Sequence, residues 1–364
     1  MTVTNKILIC SNHSYMLYQF RRELIEELMK DSEVVLCMPF VGHEEDFMSM
    51  GLRCIEVKLN RRSMNPLSDL KLVSSYRALL KREQPDKVIT YSIKPNLYMG
   101  ILCRYYRIPY YINVQGLGTA FVRPVLSRVA GLIYKKAVSG AQCVFFENTN
   151  NAAYFLHHRF VEKNKVHVFH GAGVNLTQHK LCPMPCNEKV HFLYLGRIMR
   201  EKGMDELFQA LEWLYEDGDE FLLDLVGFFE EEEKYSNKLV KLMEKGIVNF
   251  YGFRDNPDFY YQQADCIVMP SYHEGMSNVN LEAAATGRCV ITTDVPGCRE
   301  AVDHEKTGFL VEKASSDSLY KAMKRFLQLE PAVRAEMGKA GRRKMEREFD
   351  RRQIVKETIR WIDG

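Results

Sequence analysis

The sequence predicts an α/β protein made of two doubly wound domains, each built on a parallel sheet. Three observations carry this prediction. The chain has 364 residues, more than one ordinary hydrophobic core holds. Short β-rich runs alternate with segments of helical period through both halves, the signature of a parallel sheet covered on both faces. Between the halves, residues 175–189 lose that periodicity and carry Pro183 and Pro185, as a linker would.

In the first half, strands are expected at residues 6–10, 34–38, 53–58, 87–91, 110–114 and 143–146. Each is a short run rich in Val, Ile, Tyr and Phe. Helices are expected at 18–30, 67–82, 96–104 and 125–139, where apolar residues recur at helical spacing. The second half repeats the rhythm, with strands at 191–195, 222–226, 248–251, 266–269, 290–293 and 308–311. Its helices fall near 204–213, 235–243, 279–285 and 318–329, and residues 334–364 read as a charged, mostly helical tail. The domains are therefore set at 1–180 and 181–345, with a terminal helix at 346–364.

Composition narrows the class. The chain is 46% hydrophobic and 27% charged, a globular mixture. No apolar run approaches the ~20 residues that cross a bilayer. The amino terminus runs into a strand without a signal-peptide pattern, so a cytoplasmic protein is expected. Ten cysteines are scattered, mostly in apolar contexts where a reduced thiol acts as a small hydrophobe. His179, Cys182, Cys186 and His191 form one cluster with metal-ligand residue types, but the two prolines and the linker context argue for an incidental grouping. No metal is expected. Residues 1–185 hold 24 Lys and Arg against 14 Asp and Glu, a net +10, and residues 186–364 hold 26 against 33, a net −7. The basic half should meet an anionic surface or substrate. No nucleic-acid-binding module is recognisable. No G-x-G-x-x-G follows the first strand, which argues against a dinucleotide enzyme.

Residues 270–290, PSYHEGMSNVNLEAAATGRCV, carry the most chemistry. A buried strand should end at Met269, Pro270 closes it, and a helix should hold Leu281 to Ala285. Glu274 then lies on the strand-to-helix loop, and Glu282 about two turns into the helix. The helix start offers free N–H groups to a phosphate, with Asn278 and Val279 expected to present theirs. Carboxylates on either side of an anion site would repel the anion but bind hydroxyls strongly. The arrangement asks for hydroxyls at both ends of a ligand and phosphate in its middle, which is the layout of a nucleotide sugar.

Glu274-x7-Glu282, within P-S-x-x-E-G…L-E-A-x-x-x-G, resembles the donor-site motif of glycosyltransferase family 4, the retaining enzymes of GT-B fold. Residues 192–207, FLYLGRIMREKGMDEL, are similar to that family's G-R…E-K-G element. The resemblance implies two Rossmann-like domains facing a central cleft, with the acceptor on the first and the donor on the second. It implies that Arg197 and Lys202 hold the donor diphosphate, Glu274 the transferred sugar and Glu282 the ribose. Gly196, Gly275, Met276, Ser277, Asn278 and Val279 complete the implied donor site. The resemblance implies a metal-independent site, and no cofactor is expected beyond the nucleotide-sugar substrate. Arg197 could instead make a structural ion pair with Glu201 or Glu206; the glycine before it and the strand leading in favour a phosphate ligand.

On the acceptor side the candidates are His13, Lys94, Gln115 and Gly116. Many family members carry a His where Gln115 stands here, and Gln115 cannot act as a general base. Lys94-Pro95-Asn96 and the segment from Gly116 to Phe121 resemble bacterial enzymes that extend lipid-linked oligosaccharides, capsule or O-antigen. That resemblance implies a UDP-linked hexose or N-acetylhexosamine as donor and a polyprenyl-diphosphate-linked glycan as acceptor. Residues 123–136, RPVLSRVAGLIYKK, combine Arg123, Arg128, Lys135 and Lys136 with an apolar stripe, so peripheral contact with the inner, anionic membrane face is expected. In GT-B enzymes the last helix crosses back to the first domain, and the tail is expected to do so. Two other functions share the fold: a nucleotide-sugar epimerase, which needs no acceptor, and a non-catalytic partner subunit, which would lack the donor-site residues present here.

Overall fold

The computed structural model describes residues 5–59, 65–116 and 124–363, with residues 124–130 described as backbone only. The chain divides into two compact units, Met1–Ala172 with Arg352–Gly364, and Gly173–Arg351.

The first unit runs β1 (Asn5–Cys10), α1 (Ser14–Leu28), β2 (Ser32–Met38), α2 (Glu44–Ser49), β3 (Arg53–Glu56), α3 (Pro66–Glu83) and β4 (Lys87–Tyr91). A π-helical turn, Pro95–Met99, leads into α4 (Gly100–Tyr106). Then follow β5 (Tyr110–Val114), α5 (Pro124–Val138), β6 (Cys143–Phe146), α6 (Thr149–His157) and β7 (Val166–Val168). The strands pair in parallel in the order β3-β2-β1-β4-β5-β6-β7. The order reverses between β1 and β4, which makes that junction the topological switch point.

The second unit runs β8 (Val190–Leu195), α7 (Met204–Glu216), β9 (Phe221–Val226), α8 (Glu232–Glu244), β10 (Val248–Gly252), α9 (Asp258–Gln263), β11 (Cys266–Met269), α10 (Asn278–Ala285), β12 (Cys289–Thr293), β13 (Gly308–Val311), α11 (Ser316–Leu327) and α12 (Pro331–Glu348). Its sheet is also parallel, in the order β10-β9-β8-β11-β12-β13. Here the switch point lies between β8 and β11, the strands that lead into the two sequence motifs.

Local chemistry accounts for the element starts. Asn65 caps α3, its side chain accepting from the Leu67 N–H, with Pro66 in the first turn. Asn148 caps α6 and Ser315 caps α11 in the same way. Each sheet is buried on both faces, which is why its central strands are continuously apolar rather than alternating. In the second unit Phe192, Leu207, Leu211, Leu223 and Phe326 fill one face, and Leu193, Ile267, Leu281 and Val290 the other.

The structure differs from the sequence reading at several places. β7, α2, α6 and α9 are additional. The β3 strand ends at Glu56, short of residue 58. The terminal helix starts at Arg351 rather than at 346. The tail breaks at Phe349 and Asp350, where the Val174 N–H donates to the Phe349 carbonyl at 2.8 Å and the Arg351 N–H donates to the Val174 carbonyl at 3.2 Å. The terminal helix, α13 (Arg351–Asp363), packs Ile354, Val355, Ile359 and Ile362 into the apolar cluster of the first unit. Tyr111 OH and Lys87 Nζ both donate to its Ile362 carbonyl, at 2.8 and 2.7 Å. All ten cysteines are free thiols, and burial pushes those of Cys143 and Cys289 up to about 12.

Candidate donor site and sugar-side residues

The two motifs meet at the carboxyl edge of the second sheet. After β8 the chain passes Gly196 and Arg197 into a tight 3-10 turn, Arg200–Lys202, that ends on Gly203. Gly203 sits at φ +75°, and a Cβ there would stand 2.2 Å from the Pro270 carbonyl oxygen. Only glycine allows that approach. The contact presses the turn against the loop after β11, and the Tyr272 N–H donates to the Glu201 carbonyl at 2.9 Å. The result is an ion pair between Lys202 Nζ and Glu274 Oε1, both side chains less than one-fifth exposed.

Gly297 shapes the same loop from the other side. It has φ +86°, and a Cβ would lie 2.5 Å from the Glu274 carbonyl oxygen and 2.7 Å from that of Gly275. Its own carbonyl accepts the Ser277 N–H at 2.7 Å. The sequence reading did not include Gly297 in the site.

α10 begins on Ser277, whose Oγ caps it by accepting from the Asn280 N–H. Ser277 is thus spent on the fold through both its N–H and its hydroxyl. The Met276 side chain is buried in the apolar cluster under α10. What the helix start can offer an anion comes from the first-turn N–H groups of Asn278 and Val279, which have no intrahelical acceptor.

Arg197 is paired, but with neither Glu201 nor Glu206. Its Nη1 donates to Glu230 Oε2 at 2.8 Å, and its side chain is 43% exposed. Its carbonyl accepts from the buried Tyr194 hydroxyl at 2.6 Å, which fixes the backbone beneath it. So exposed an ion pair is weak, and a diphosphate can exchange with the carboxylate.

Glu282 lies a little over one turn into α10, rather than two. Its Oε2 accepts from the buried Tyr261 hydroxyl at 2.8 Å, and its Oε1 lies 4.0 Å from His179 Nε2. His179 Nδ1 in turn lies 2.8 Å from Asp258 Oδ1. Burial raises the Glu282 carboxyl above its ordinary range, while His179, the Tyr261 hydroxyl and Arg351 pull it back. Glu274 and Glu282 thus mark two ends of one edge with separate partners. The former metal-type cluster is dispersed: His179 faces Asp258, and His191 Nδ1 faces Asp224 Oδ2 at 3.3 Å.

In the first unit the four sugar-side residues lie near the carboxyl ends of β1, β4 and β5. His13 caps α1, with Nδ1 accepting from the Met16 N–H at 3.4 Å. Lys94 Nζ pairs with Asp69 Oδ1 at 2.6 Å. The neighbouring Asn96 is buried and structural: it accepts from Thr90 Oγ1 at 2.7 Å and donates to the Asn113 carbonyl at 2.8 Å. Ser92 Oγ lies 2.8 Å from Asn12 Oδ1 and 3.2 Å from Gln115 Oε1. Gly116 closes the described segment; residues 117–123 of the loop, and Arg123 with them, lie outside the described residues. Sequence reading missed Arg21 and Glu147, an ion pair at 2.8 Å beside Gln115. Burial raises the Glu147 carboxyl, opposed by Arg21 and Gln115. A lone Glu after an apolar strand gave no signal for it.

Residues 186–344 match the family model Glycosyl transferases group 1, and residues 6–148 match Glycosyl transferase 4-like. The chain is 26% identical over 322 residues to the N,N'-diacetylbacillosaminyl-diphospho-undecaprenol alpha-1,3-N-acetylgalactosaminyltransferase of Campylobacter jejuni, covering 83% of this chain and 84% of the relative. It is 27% identical to the capsular polysaccharide biosynthesis glycosyltransferase CapM of Staphylococcus aureus, covering 82% of each. The crystal structure of Anabaena HepE in complex with UDP and glucose superimposes with a TM-score of 0.82 at 16% identity, over 99% of this chain and 100% of that one. With one family matched on each sheet domain and the fold shared along the whole length, the chain belongs to the group 1 and 4-like glycosyltransferases and is an enzyme of GT-B fold.

Proposed function

We propose that the protein moves a hexose or N-acetylhexosamine from a UDP-linked donor to a glycan carried on a polyprenyl diphosphate, with retention at the anomeric carbon and without a metal ion. The observation that carries this reading is the Lys202–Glu274 pair at the switch point of the second sheet, beside the start of α10 and with Glu282 further along the same helix. A diphosphate there would meet Lys202, Arg197 and the helix N–H groups. Its leaving charge would be stabilised by fixed donors, which is where such enzymes gain most of their rate. Glu274 holds the Lys202 ammonium in position beforehand, so less ordering is needed on binding. Glu274 would then take a hydroxyl of the transferred sugar and Glu282 those of the ribose.

In the reaction the bond from the anomeric carbon to the diphosphate oxygen breaks, and the bond to the acceptor hydroxyl oxygen forms on the same face. The acceptor proton passes to a phosphate oxygen of the departing UDP. No protein nucleophile is required. Glu274, tied to a lysine, is a poor candidate for one. The acceptor class is supported by the Campylobacter and Staphylococcus relatives, which act on a diphospho-undecaprenol-linked sugar and in capsule biosynthesis, and the UDP donor by the HepE complex.

The test is a panel of UDP-sugars with an undecaprenyl-diphosphate-linked acceptor, the product followed by NMR. One donor should give a product of unchanged anomeric configuration, at undiminished rate in EDTA, and no sugar should change without acceptor. An inverted product, or activity lost in EDTA and restored by Mg²⁺ or Mn²⁺, would contradict the corresponding part. Conversion of the donor alone would point to the epimerase.

A lipid-linked acceptor requires the enzyme at a membrane. No described helix is long and apolar enough to cross one. On α5, however, Leu132 is 70% exposed and Ile133 37%, next to exposed Lys135 and Lys136. Lys135 also borders a depression of about 420 Å³ with Arg159, Lys163, Lys165 and apolar Leu156 and Phe160. Among the described residues none of these four cations makes an ion pair, which leaves them for anionic head groups while Leu132 and Ile133 enter the interface. Co-sedimentation with vesicles containing anionic lipid should therefore weaken as salt rises, the Debye length being about 8 Å at physiological ionic strength. It should also weaken when Lys135, Lys136 and Lys163 are replaced by Ala. Equal binding by the triple variant would remove this face from the account.

A further inference from the structure

We propose that His179 is a positioning residue for the donor nucleoside: held by Asp258, it acts with Tyr261 to fix the Glu282 carboxylate in the orientation that takes the ribose hydroxyls. This rests on the donor-site reading above and adds residues that neither sequence motif contains.

The geometry is confined to the second unit. His179 is 4% exposed and lies between two carboxylates, Asp258 Oδ1 at 2.8 Å from Nδ1 and Glu282 Oε1 at 4.0 Å from Nε2. Each ring nitrogen thus faces one carboxylate. The ring cannot turn freely. The His179 N–H donates to the Asn175 carbonyl at 2.9 Å, and its own carbonyl accepts Arg342 Nη1 at 2.8 Å. The same Arg342 nitrogen donates to the Ala285 carbonyl at 2.8 Å, so one guanidinium ties the His179 backbone to the end of α10. Tyr261, fully buried, holds the second oxygen of Glu282 at 2.8 Å. Its carbonyl in turn accepts Arg288 Nε at 2.8 Å.

The arrangement leaves Glu282 little freedom. One oxygen is taken by the Tyr261 hydroxyl, which burial keeps protonated and so able to donate. The other oxygen faces His179 at a distance too long for a hydrogen bond but close enough for charge attraction. That oxygen therefore keeps its lone pairs for a ligand, and its direction is set by His179. A carboxylate with one oxygen satisfied and the other held but uncommitted is suited to a pair of vicinal hydroxyls, each of which needs an acceptor. Burying so many polar groups around one glutamate costs free energy, and packing of α10 alone does not require it.

The test uses the full-length protein and compares UDP with 2',3'-dideoxy-UDP by calorimetry. In the wild type the missing hydroxyls should weaken binding. His179→Leu should raise the Kd for UDP about tenfold, the size of one lost hydrogen bond to a charged group, and change that for dideoxy-UDP by less than about twofold, the spread common to mutational effects of no net consequence. His179→Gln, whose amide can reach Glu282, should recover much of the loss. Asp258→Asn should fall between and serves if His179→Leu does not fold. A structural role alone would weaken both nucleotides equally, and that result, or unchanged UDP binding in His179→Leu and Asp258→Asn, overturns the proposal. Glu282→Gln separates the two readings. If it weakens UDP and the dideoxy analogue equally, the ribose assignment of Glu282 itself is wrong. If Glu282→Gln weakens UDP selectively and the His179 variants do not, only the positioning role falls.

Discussion

Lys202→Ala is expected to lower turnover by about 10²–10³ while the protein stays folded, the usual cost of removing one preorganised donor to a developing oxyanion. Two structural facts set the size of the effect. Lys202 projects from a turn fixed by Gly203 and Glu201 against the loop after β11, which holds its ammonium beside Glu274. Its loss also strands Glu274, whose negative charge would then face the donor diphosphate uncompensated. The stability cost should be smaller than the roughly 3–5 kcal/mol seen when a fully buried pair is broken, because both side chains keep some contact with water. Lys202→Arg should recover little, since a planar fork does not replace a compact ammonium in so close a pairing. Steady-state kinetics beside circular dichroism decides the matter. Near-normal turnover in folded Lys202→Ala would contradict the assignment of the diphosphate to this edge.

Gly203→Ala is expected to damage fold and activity together. The left-handed φ of +75° alone costs a non-glycine residue about 1–2 kcal/mol. The added Cβ, 2.2 Å from the Pro270 carbonyl oxygen, must then push the turn off the loop. A total of about 2–4 kcal/mol corresponds to a fall in melting temperature on the order of 5–15 °C for a domain of this size. Displacing Lys202 by even about 1 Å should cost up to about 10²-fold in rate. An alanine variant with unchanged melting temperature and turnover would mean that the close approach at Gly203 does not hold the site. No other substitution in the E-K-G element tests backbone and chemistry at once in this way.

The fold was legible because parallel sheets buried on both faces leave continuous apolar runs, and each such run in the sequence is a strand in the structure. What escaped were β7, α2 and α9, of three to six residues, and α6. The place of the break between α12 and α13, at 349–350 rather than before 346, also escaped. The break is made by pairing of Val174 with the backbone around Asp350, a contact between residues far apart in sequence that no local pattern announces. In the site, residues belonging to motifs were found: Arg197, Lys202, Glu274 and Glu282. Their partners were not. Glu230, the α9 pair Asp258 and Tyr261, and His179 come from three separate stretches and meet these residues only through the strand order β10-β9-β8-β11. His179 was noticed for its chemistry and read with Cys182, Cys186 and His191 because they are close in sequence. The fold separates them and turns His179 toward α10 instead. Met276 and Ser277 lie inside a motif, yet one side chain is core and the other is a helix cap, since a loop leading into a helix must spend some residues on its own geometry.

The central claim is that the carboxyl edge of the second sheet holds the donor nucleotide, and a crystal structure of the protein with bound UDP tests it most directly. The diphosphate should lie within hydrogen-bond distance of Lys202 Nζ and the Asn278 or Val279 N–H, with Arg197 turned from Glu230 toward it and the ribose hydroxyls on Glu282. UDP seated away from α10, or with its ribose out of reach of Glu282, would contradict the account.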